Sequence, residues 1–282
     1  MIEDFAERAR RFQNLHHRPD LLVLPNPWDA GSARILENLG FSALASTSAG
    51  LAFSLGRCDG EGAVTADETF AHVRDLIAAT RVPISADLEN GFGVSPETVA
   101  ATIRQAAEVG LSGASIEDAS YDPAAPLYDR MLATERIAAA VEAARALPHP
   151  FVLTARAENF VRGRPDLDDA LARLHAYDLA GADVLYAPGL PDAAAIRLAC
   201  ATTTKPFNYV AGIGSTRFTL AELAGLGVRR VTIGTSFVRC ALGAFLRAAR
   251  EVLEHGTFGY LEGLPTVTDV NHLIVTPSAR AR

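Results

Sequence analysis

Short apolar runs alternate with longer amphipathic segments along most of the chain. The runs are rich in aliphatic and β-branched residues, which is typical of buried strands, and the segments repeat apolar positions at helical spacing. This pattern predicts eight strands, at Leu21–Pro25, Ala43–Ser48, Pro83–Glu89, Gly113–Asp118, Phe151–Glu158, Asp183–Pro188, Pro206–Ala211 and Arg230–Gly234. A helix is predicted after each strand, at Ala30–Leu39, Ala66–Ala79, Pro96–Val109, Thr134–Ala146, Leu167–Ala180, Ala193–Ala201, Leu220–Leu226 and Ser236–Glu254.

The ends of these helices carry local signals. Thr65 and Thr219 each precede a glutamate by three positions, which is the spacing of a capping box. Ser95 stands before a proline at the first helical position. Glycine tolerates the left-handed conformation that commonly follows a helix, and it ends four of the predicted helices, at Gly40, Gly110, Gly181 and Gly227.

Eight strand–helix alternations without an intervening linker favour an α/β fold, a single (β/α)8 TIM-type barrel with a C-terminal helical arm. The alternative is an open doubly wound sheet. That fold usually carries a Gly-x-Gly-x-x-Gly turn after its first strand, and the turn at 25–34 reads PNPWDAGSAR. We therefore expect one barrel domain over 1–282, with 255–282 as its tail.

Composition and charge narrow the function classes. The chain has 282 residues, 49% of them hydrophobic, and a formal net charge of −7, which disfavours a nucleic-acid partner because phosphate binding needs a basic face. An uncharged stretch at 38–56 contains serines, a threonine and glycines, so we expect no membrane span. The N-terminus is charged throughout, unlike a secretory signal. The chain has three cysteines, an odd and small number with no Cys-x-x-Cys pair, which favours a reducing, cytoplasmic location.

Acidic residues collect at the predicted carboxyl ends of neighbouring strands, where barrel enzymes place their chemistry. Side chains alternate along a strand, so Asp87 and Glu89 are predicted to face the same way, and Glu117 ends the next strand. Asp59 lies in the loop after strand two, and Arg156 shares a face of strand five with Thr154 and Glu158. Helix capping is the alternative role for acidic residues at strand ends, notably Asp29 and Asp118.

Carboxylates that converge on one rim repel one another unless a cation joins them. Oxygen-only ligands predict Mg²⁺, with Mn²⁺ as a substitute, and none of the seven histidines falls at a strand end where zinc would need one. A small-molecule 2-oxo or 2-hydroxy carboxylate could chelate such an ion and pair with Arg156. The segment Ser46–Gly50 is interpreted either as a carboxylate-binding segment or as a tight turn after the strand.

Several of these motifs together resemble the isocitrate lyase/phosphoenolpyruvate mutase superfamily, in its methylisocitrate lyase-like and phosphonomutase-like branch. The similarity extends from about Asn26 to the eighth strand. The matching segments are NPWDAGSARILENLGF (26–41), STSAGLAFSLGRCDGE (46–61), ADLENGFG (86–93), SIEDAS (115–120), LTARAENF (153–160), AGADVLYAPGL (180–190) and LGVRRVTIG (226–234).

The resemblance implies a Mg²⁺-dependent barrel that acts on α-oxocarboxylates through an enolate-like state. By this similarity Asp87 binds the metal directly, and Glu89 and Glu117 bind it directly or through water. Asp59 corresponds to the acidic residue beside the substrate.

The resemblance also implies the substrate contacts and the assembly. Thr47, Ser48 and Ala49 correspond to the segment that binds the oxo acid, and Arg156 to the arginine that binds its carboxylate. Members of the superfamily commonly swap the last barrel helix between subunits, which implies a homotetramer built as a dimer of dimers.

One segment departs from the superfamily pattern. Relatives that cleave isocitrate or methylisocitrate carry a loop after strand four whose cysteine supplies a proton, whereas residues 117–129 contain no cysteine, lysine or histidine. Tyr121 or Tyr128 is the hypothesised replacement, and the loop 118–133 is expected to set specificity. We expect a Mg²⁺-dependent carbon–carbon lyase; the alternatives are a phosphonate P–C mutase or hydrolase and a non-catalytic barrel that binds an oxo acid.

Overall fold

The computed structural model describes residues 2–213 and 218–275. Its strands are β1 Leu22–Leu24, β2 Leu44–Ala45, β3 Ile84–Asp87, β4 Gly113–Glu117, β5 Val152–Arg156, β6 Val184–Tyr186, β7 Phe207–Val210 and β8 Arg230–Thr232. Its helices are α1 Ile2–His16, α2 Ala30–Asn38, α3 Ser48–Ser54, α4 Ala66–Ala79, α5 Pro96–Glu108, α6 Arg130–Arg145, α7 Leu167–Leu179, α8 Ala193–Thr202, α9 Leu220–Gly225, α10 Ser236–His255 and α11 Val267–Ile274. A short 3-10 turn, Gly259–Leu261, connects the last two.

The eight strands form one parallel sheet that curls into a nearly closed barrel. Neighbours pair in the order β1-β8-β7-β6-β5-β4-β3-β2. The remaining seam, between β1 and β2, is bridged by a 3.1 Å hydrogen bond from the Ala45 N–H to the Pro25 carbonyl. The prediction of a (β/α)8 barrel is confirmed, and all the strands present their carboxyl ends at one rim.

Local signals in the sequence place the helix ends correctly. Thr65 and Thr219 both form capping boxes, and Ser95 accepts a hydrogen bond at the start of α5. Asp29 caps α2, as its position after a strand suggested. The four predicted helix-ending glycines all have φ between +95° and +101°, where a side chain would strain the backbone.

Helix α1 was not predicted, and it forms the floor of the barrel. Phe12 and Leu15 are buried in a cluster with Val152 and Val184 from inside the barrel. The helix precedes the first strand–helix unit, so the pattern of alternating units gave no reason to expect it.

The second strand is shorter than predicted, and this is a correction to the range Ala43–Ser48. The strand ends at Ala45, and α3 begins at Ser48 because the Thr47 hydroxyl accepts a hydrogen bond from the Gly50 N–H and so starts a helix. The uncharged stretch at 38–56 is therefore the end of α2, a buried strand and a short helix. Within residues 2–213 and 218–275, no helix is long and apolar enough to cross a membrane.

The C-terminal arm leaves an apolar surface uncovered in this single chain. Of the twenty residues of α10 only Val238 is buried, and Phe245 and Leu253 are 67% and 85% exposed. The arm then returns to the barrel, since α11 packs beside α2 and the Asn38 amide donates to the Leu273 carbonyl at 2.6 Å. Residues 276–282 of the predicted tail lie outside the described residues.

Candidate active site

A cavity of about 170 Å³ opens at the carboxyl ends of the strands. Most of the predicted site residues meet there, although they come from four separate segments of the chain. Six of them line this cavity: Thr47, Ser48, Ala49, Asp59, Asp87 and Arg156. The sequence left two interpretations of the segment Ser46–Gly50, a carboxylate-binding segment or a tight turn. In the structure this segment leads into the first turn of α3 and forms one wall of the cavity.

Asp87 is the last residue of β3 and is held by neighbouring groups on both sides. Its backbone N–H donates to the Ser46 hydroxyl at 2.9 Å, which ties β3 to the end of β2. The Ser48 hydroxyl donates to Oδ2 at 3.0 Å, and the Glu89 N–H lies 3.3 Å from Oδ1. The carboxylate is therefore oriented toward the cavity before anything binds there.

Strand alternation does not extend to Glu89, so it no longer supports the prediction that Glu89 and Asp87 face the same way. The strand ends at Asp87, and Glu89 has a left-handed backbone with φ of 49°, so the alternation stops before it. Glu89 and Glu117 lie beside the cavity rather than among its lining residues. The Tyr121 hydroxyl joins them, donating to Glu89 Oε2 at 2.7 Å and lying 3.2 Å from Glu117 Oε1.

The electrostatics of these acids reflect their crowding. Burial, together with the charges of Asp87, Glu117 and Asp59, raises the pKa of Glu89 to about 7, although the Tyr121 hydroxyl opposes this shift. Burial chiefly, and then Asp87, also raises the pKa of Asp59. Carboxyl groups whose pKa values are raised at a cavity suit either proton transfer or the binding of a cation.

Arg156 lies at the end of β5 and is surrounded by three carboxylates. Its Nε donates to Glu158, whereas Nη1 and Nη2 lie 3.5 Å from Asp87 and Glu117 respectively. The ring of Tyr186 stacks against the guanidinium at 5.1 Å. Among the described residues, Nε alone makes a contact shorter than 3.5 Å, so the two outer nitrogens remain able to bind a carboxylate in the paired geometry that arginine favours.

The loop that carries Asp59 is exposed but anchored. Arg162, on the loop after β5, donates to the Gly60 carbonyl at 3.2 Å and to Glu117 at 3.1 Å. Its guanidinium also lies over the Tyr121 ring at 5.1 Å. The Arg162 guanidinium thus connects the loops after β2, β4 and β5 above the cavity.

Two of these contributors, Arg162 and Tyr186, were not predicted from the sequence, because their contacts depend on how loops and strands meet. Glu158 was predicted to share a face with Arg156, although no role was assigned to it. Asp118 is not a helix cap: it accepts hydrogen bonds from the Tyr177 hydroxyl at 2.6 Å and from Arg173 at 3.0 Å inside the protein. Its role is to hold β4 against α7.

The donor set fits a hard divalent cation. Five carboxylates face two arginines around the cavity, namely Asp59, Asp87, Glu89, Glu117 and Glu158 against Arg156 and Arg162. In the described ranges, no three His, Cys, Asp or Glu side chains come together closely enough to enclose a metal ion. Mg²⁺ usually keeps several waters and is bound through only one or two carboxylates, of which Asp87 lines the cavity.

The chain matches a known protein family over most of its length. The family model described as phosphoenolpyruvate phosphomutase matches residues 12–253, most of the chain and the whole barrel. The chain belongs to this family. As a member of the phosphoenolpyruvate phosphomutase family, it also falls within the isocitrate lyase/phosphoenolpyruvate mutase superfamily that its motifs resemble, so that prediction is confirmed.

Similar proteins of known structure or name are lyases, mutases and related hydrolases. A crystal structure of a Burkholderia cenocepacia protein assigned as a lyase or mutase is 52% identical, with a TM-score of 0.94 and 98% of each chain covered. An oxaloacetate acetylhydrolase in complex with its product oxalate is 26% identical, with a TM-score of 0.86, and covers 96% of this chain and 94% of its own. The 2-methylisocitrate lyase of Halalkalibacterium halodurans is 27% identical over 255 residues, 89% of this chain and 84% of that protein.

Proposed function

We propose that this member of the phosphoenolpyruvate phosphomutase family is a Mg²⁺-dependent lyase. It would cleave a carbon–carbon bond adjacent to a 2-oxo or 2-hydroxy carboxylate through an enolate-like intermediate. The observation that carries the proposal is the cavity in which Asp59, Asp87 and Arg156 meet. The proposed setting is the cytoplasm, which agrees with three cysteines that are free thiols.

Asp87 would hold Mg²⁺ directly, with Glu89 and Glu117 reaching it directly or through water. When bound, the ion would act as a Lewis acid that stabilises negative charge on the oxygens of the oxo acid. A cation also answers an electrostatic need, since an anionic substrate would otherwise meet an excess of carboxylates. Mn²⁺ is expected to substitute, because it accepts the same oxygen ligands.

Arg156 would bind the substrate, and Asp59 would act as the base. The outer nitrogens of Arg156 would bind the substrate carboxylate and fix the orientation of the bond that breaks. Asp59, whose raised pKa makes it a better base near neutral pH, would remove a proton from the substrate directly or through a water. Its exposed loop gives the substrate a way in.

A substrate panel tests the proposal. Malate, dimethylmalate, oxaloacetate and citramalate analogues are incubated with the protein and Mg²⁺, and release of the 2-oxo acid or of oxalate is followed. We expect turnover of at least one member and its loss on addition of EDTA, with recovery when Mg²⁺ is restored. Rates that are equal with and without EDTA would remove the metal from the proposal.

A second candidate is a phosphonate P–C mutase or hydrolase, favoured by the description of the family model itself. Phosphorus NMR on phosphonopyruvate distinguishes it from the lyase, because only P–C chemistry changes the phosphorus signal. Tight oxalate binding without turnover of any compound would instead favour a non-catalytic oxo-acid-binding barrel.

The two tyrosines of the loop after β4 are expected to behave differently. Tyr121→Phe should lower kcat by about 100-fold, because the lost hydroxyl is the donor shared by Glu89 and Glu117. Tyr128→Phe is the matched control, since its hydroxyl accepts a hydrogen bond from the Asn90 amide at 3.2 Å and does not reach the carboxylates. Steady-state kinetics on both variants checks this, and equal effects would exclude a special role for Tyr121.

The protein is proposed to be a homotetramer in which α10 packs on a partner subunit. The support is the uncovered apolar surface of α10, which includes Phe245. Phe245→Glu is therefore expected to reduce the molar mass in solution, measured by light scattering after size exclusion. Leu179→Glu, at an equally exposed leucine on α7, should leave the assembly unchanged; dissociation by both variants would argue against an α10 interface.

A further inference from the structure

The floor of the active-site cavity contains a buried arginine without an acidic partner. Arg230, the first residue of β8, lines the cavity and is only 3% exposed. In the part of the chain that the structure describes, no aspartate or glutamate lies within ion-pair distance of it. Burying a charge in this way is costly unless an anion arrives to pair with it.

Neutral acceptors hold Arg230 in place without cancelling its charge. Nε donates to Asn208 Oδ1 at 2.8 Å, and the Asn208 amide is itself fixed by donating to the Thr232 hydroxyl at 3.1 Å. Nη1 lies 3.5 Å from His16 Nε2. Since His16 Nδ1 lies 2.8 Å from the Phe12 carbonyl, it carries the proton, and Nε2 is left as the acceptor.

The ionisation states agree with this geometry. Burial, and then the charge of Arg230, lowers the pKa of His16 to about 3, so this imidazole stays neutral at physiological pH. Burial lowers the pKa of Arg230 to about 10, which still leaves it charged. A permanent positive charge therefore lies beneath the cavity.

Two other buried arginines, which lie away from the cavity, have more hydrogen-bond or ion-pair partners than Arg230. Arg173 pairs with Asp118 and Asp169. Arg136 lacks a carboxylate, but it donates to three backbone carbonyls and stacks on the Tyr128 ring, away from the cavity. Among the described residues, Nη2 of Arg230 has no hydrogen-bond partner, and it belongs to a side chain that lines a cavity.

We propose that Arg230 forms an anion subsite at the cavity floor that binds a carboxylate group. Arg230 lies in the same row of paired strand residues as Arg156, the proposed ligand of the substrate carboxylate. The row crosses β5 to β8 and consists of Arg156, Tyr186, Asn208 and Arg230. The carboxylate is either the far end of a dicarboxylate substrate or a free small carboxylate. The first source rests on the proposed function, which places the other end of the substrate at Arg156.

Matched inert acids test the subsite without requiring turnover. Calorimetry with the full chain and Mg²⁺ compares malonate with propionate, succinate with butyrate, and glutarate with pentanoate, pairs in which a carboxylate replaces a methyl. We expect one diacid to bind about 10- to 100-fold more tightly than its partner, and Arg230→Met to remove that preference while leaving monoacid affinity unchanged. Arg229→Met, at the exposed neighbouring position, should keep the preference.

The remaining outcomes are equally decisive. Equal weakening of monoacids and diacids by Arg230→Met would support a subsite for a free carboxylate. Unchanged affinities together with a lowered Tm would show that Arg230 is only structural and would overturn the subsite. Should the methionine variant not fold, Arg230→Lys must retain part of the diacid preference, and its complete loss with normal folding overturns the subsite. Diacid preference without lyase activity would leave the subsite standing while removing the proposed reaction.

Discussion

Asp87→Asn is expected to abolish Mg²⁺ binding and to lower turnover by about 1000-fold or more. The substitution keeps the size of the side chain. The amide oxygen can still accept from the Glu89 N–H, and the amide nitrogen can donate to the Ser48 hydroxyl, which is a donor to the carboxylate in the native protein. What is lost is the negative charge at the end of β3. The effect should therefore be confined to the metal and the reaction, with the fold intact.

Three measurements check the Asp87 variant. Calorimetry follows Mg²⁺ affinity, steady-state assays follow kcat, and thermal unfolding follows stability, which should stay equal or rise because one charge leaves a repulsive cluster. The pKa values of Glu89 and Asp59 should fall, since the charge of Asp87 helps to raise both. Asp168→Asn, an exposed acid on α7, is the control, and equal Mg²⁺ affinity in both variants would contradict the metal assignment.

Arg156→Gln is expected to destabilise the protein by about 3–5 kcal/mol as well as to weaken substrate binding. Asp87, Glu117 and Glu158 would then lose the guanidinium that they share inside a poorly solvated site. Burial already raises the pKa values of Glu117 and Glu158 above those of the unfolded chain, that of Glu158 to about 8, although Arg156 opposes both shifts. Loss of the guanidinium would raise both pKa values further, so stability would fall more as the pH rises through this range. The deficit should be larger at pH 8 than at pH 6.

Urea unfolding at both pH values measures this loss, and KM for the active panel member measures the effect on binding. Arg145→Gln is the matched control, because its pair with Asp183 is half exposed and should contribute about 1 kcal/mol or less. A pH-independent loss for Arg156→Gln would indicate that packing, rather than the unpaired carboxylates, causes it.

The sequence predicts those parts of the fold that depend on neighbouring residues. Threonine three positions before glutamate starts a helix wherever it occurs here, and strand periodicity places Asp87 and Arg156 at the same rim. Their convergence follows from parallel strands alone, because every carboxyl end lies on one side of the barrel. The site could therefore be located before its geometry was known.

The parts that could not be predicted depend on distant contacts or on local backbone exceptions. Glu89 lies outside the strand alternation because its backbone is left-handed, and this conformation is rare in a glutamate, so the sequence pattern does not indicate it. Arg162 joins three loops that are far apart in the chain. In the sequence, Arg230 has no feature that distinguishes it from other polar residues in strands. Its position at the cavity depends on the closure of the barrel.

The position of α1 has a consequence for how the protein is made. This helix is synthesised before all eight strands. Its apolar residues Phe12 and Leu15 pack against Val152 and Val184, and His16 contacts Arg230, which lies 214 residues later in the chain. Until these later strands have been synthesised, the apolar side chains of α1 remain exposed to solvent in the nascent chain. The cluster around α1 can therefore form only after most of the chain has been synthesised, and contacts at such large sequence separation slow folding.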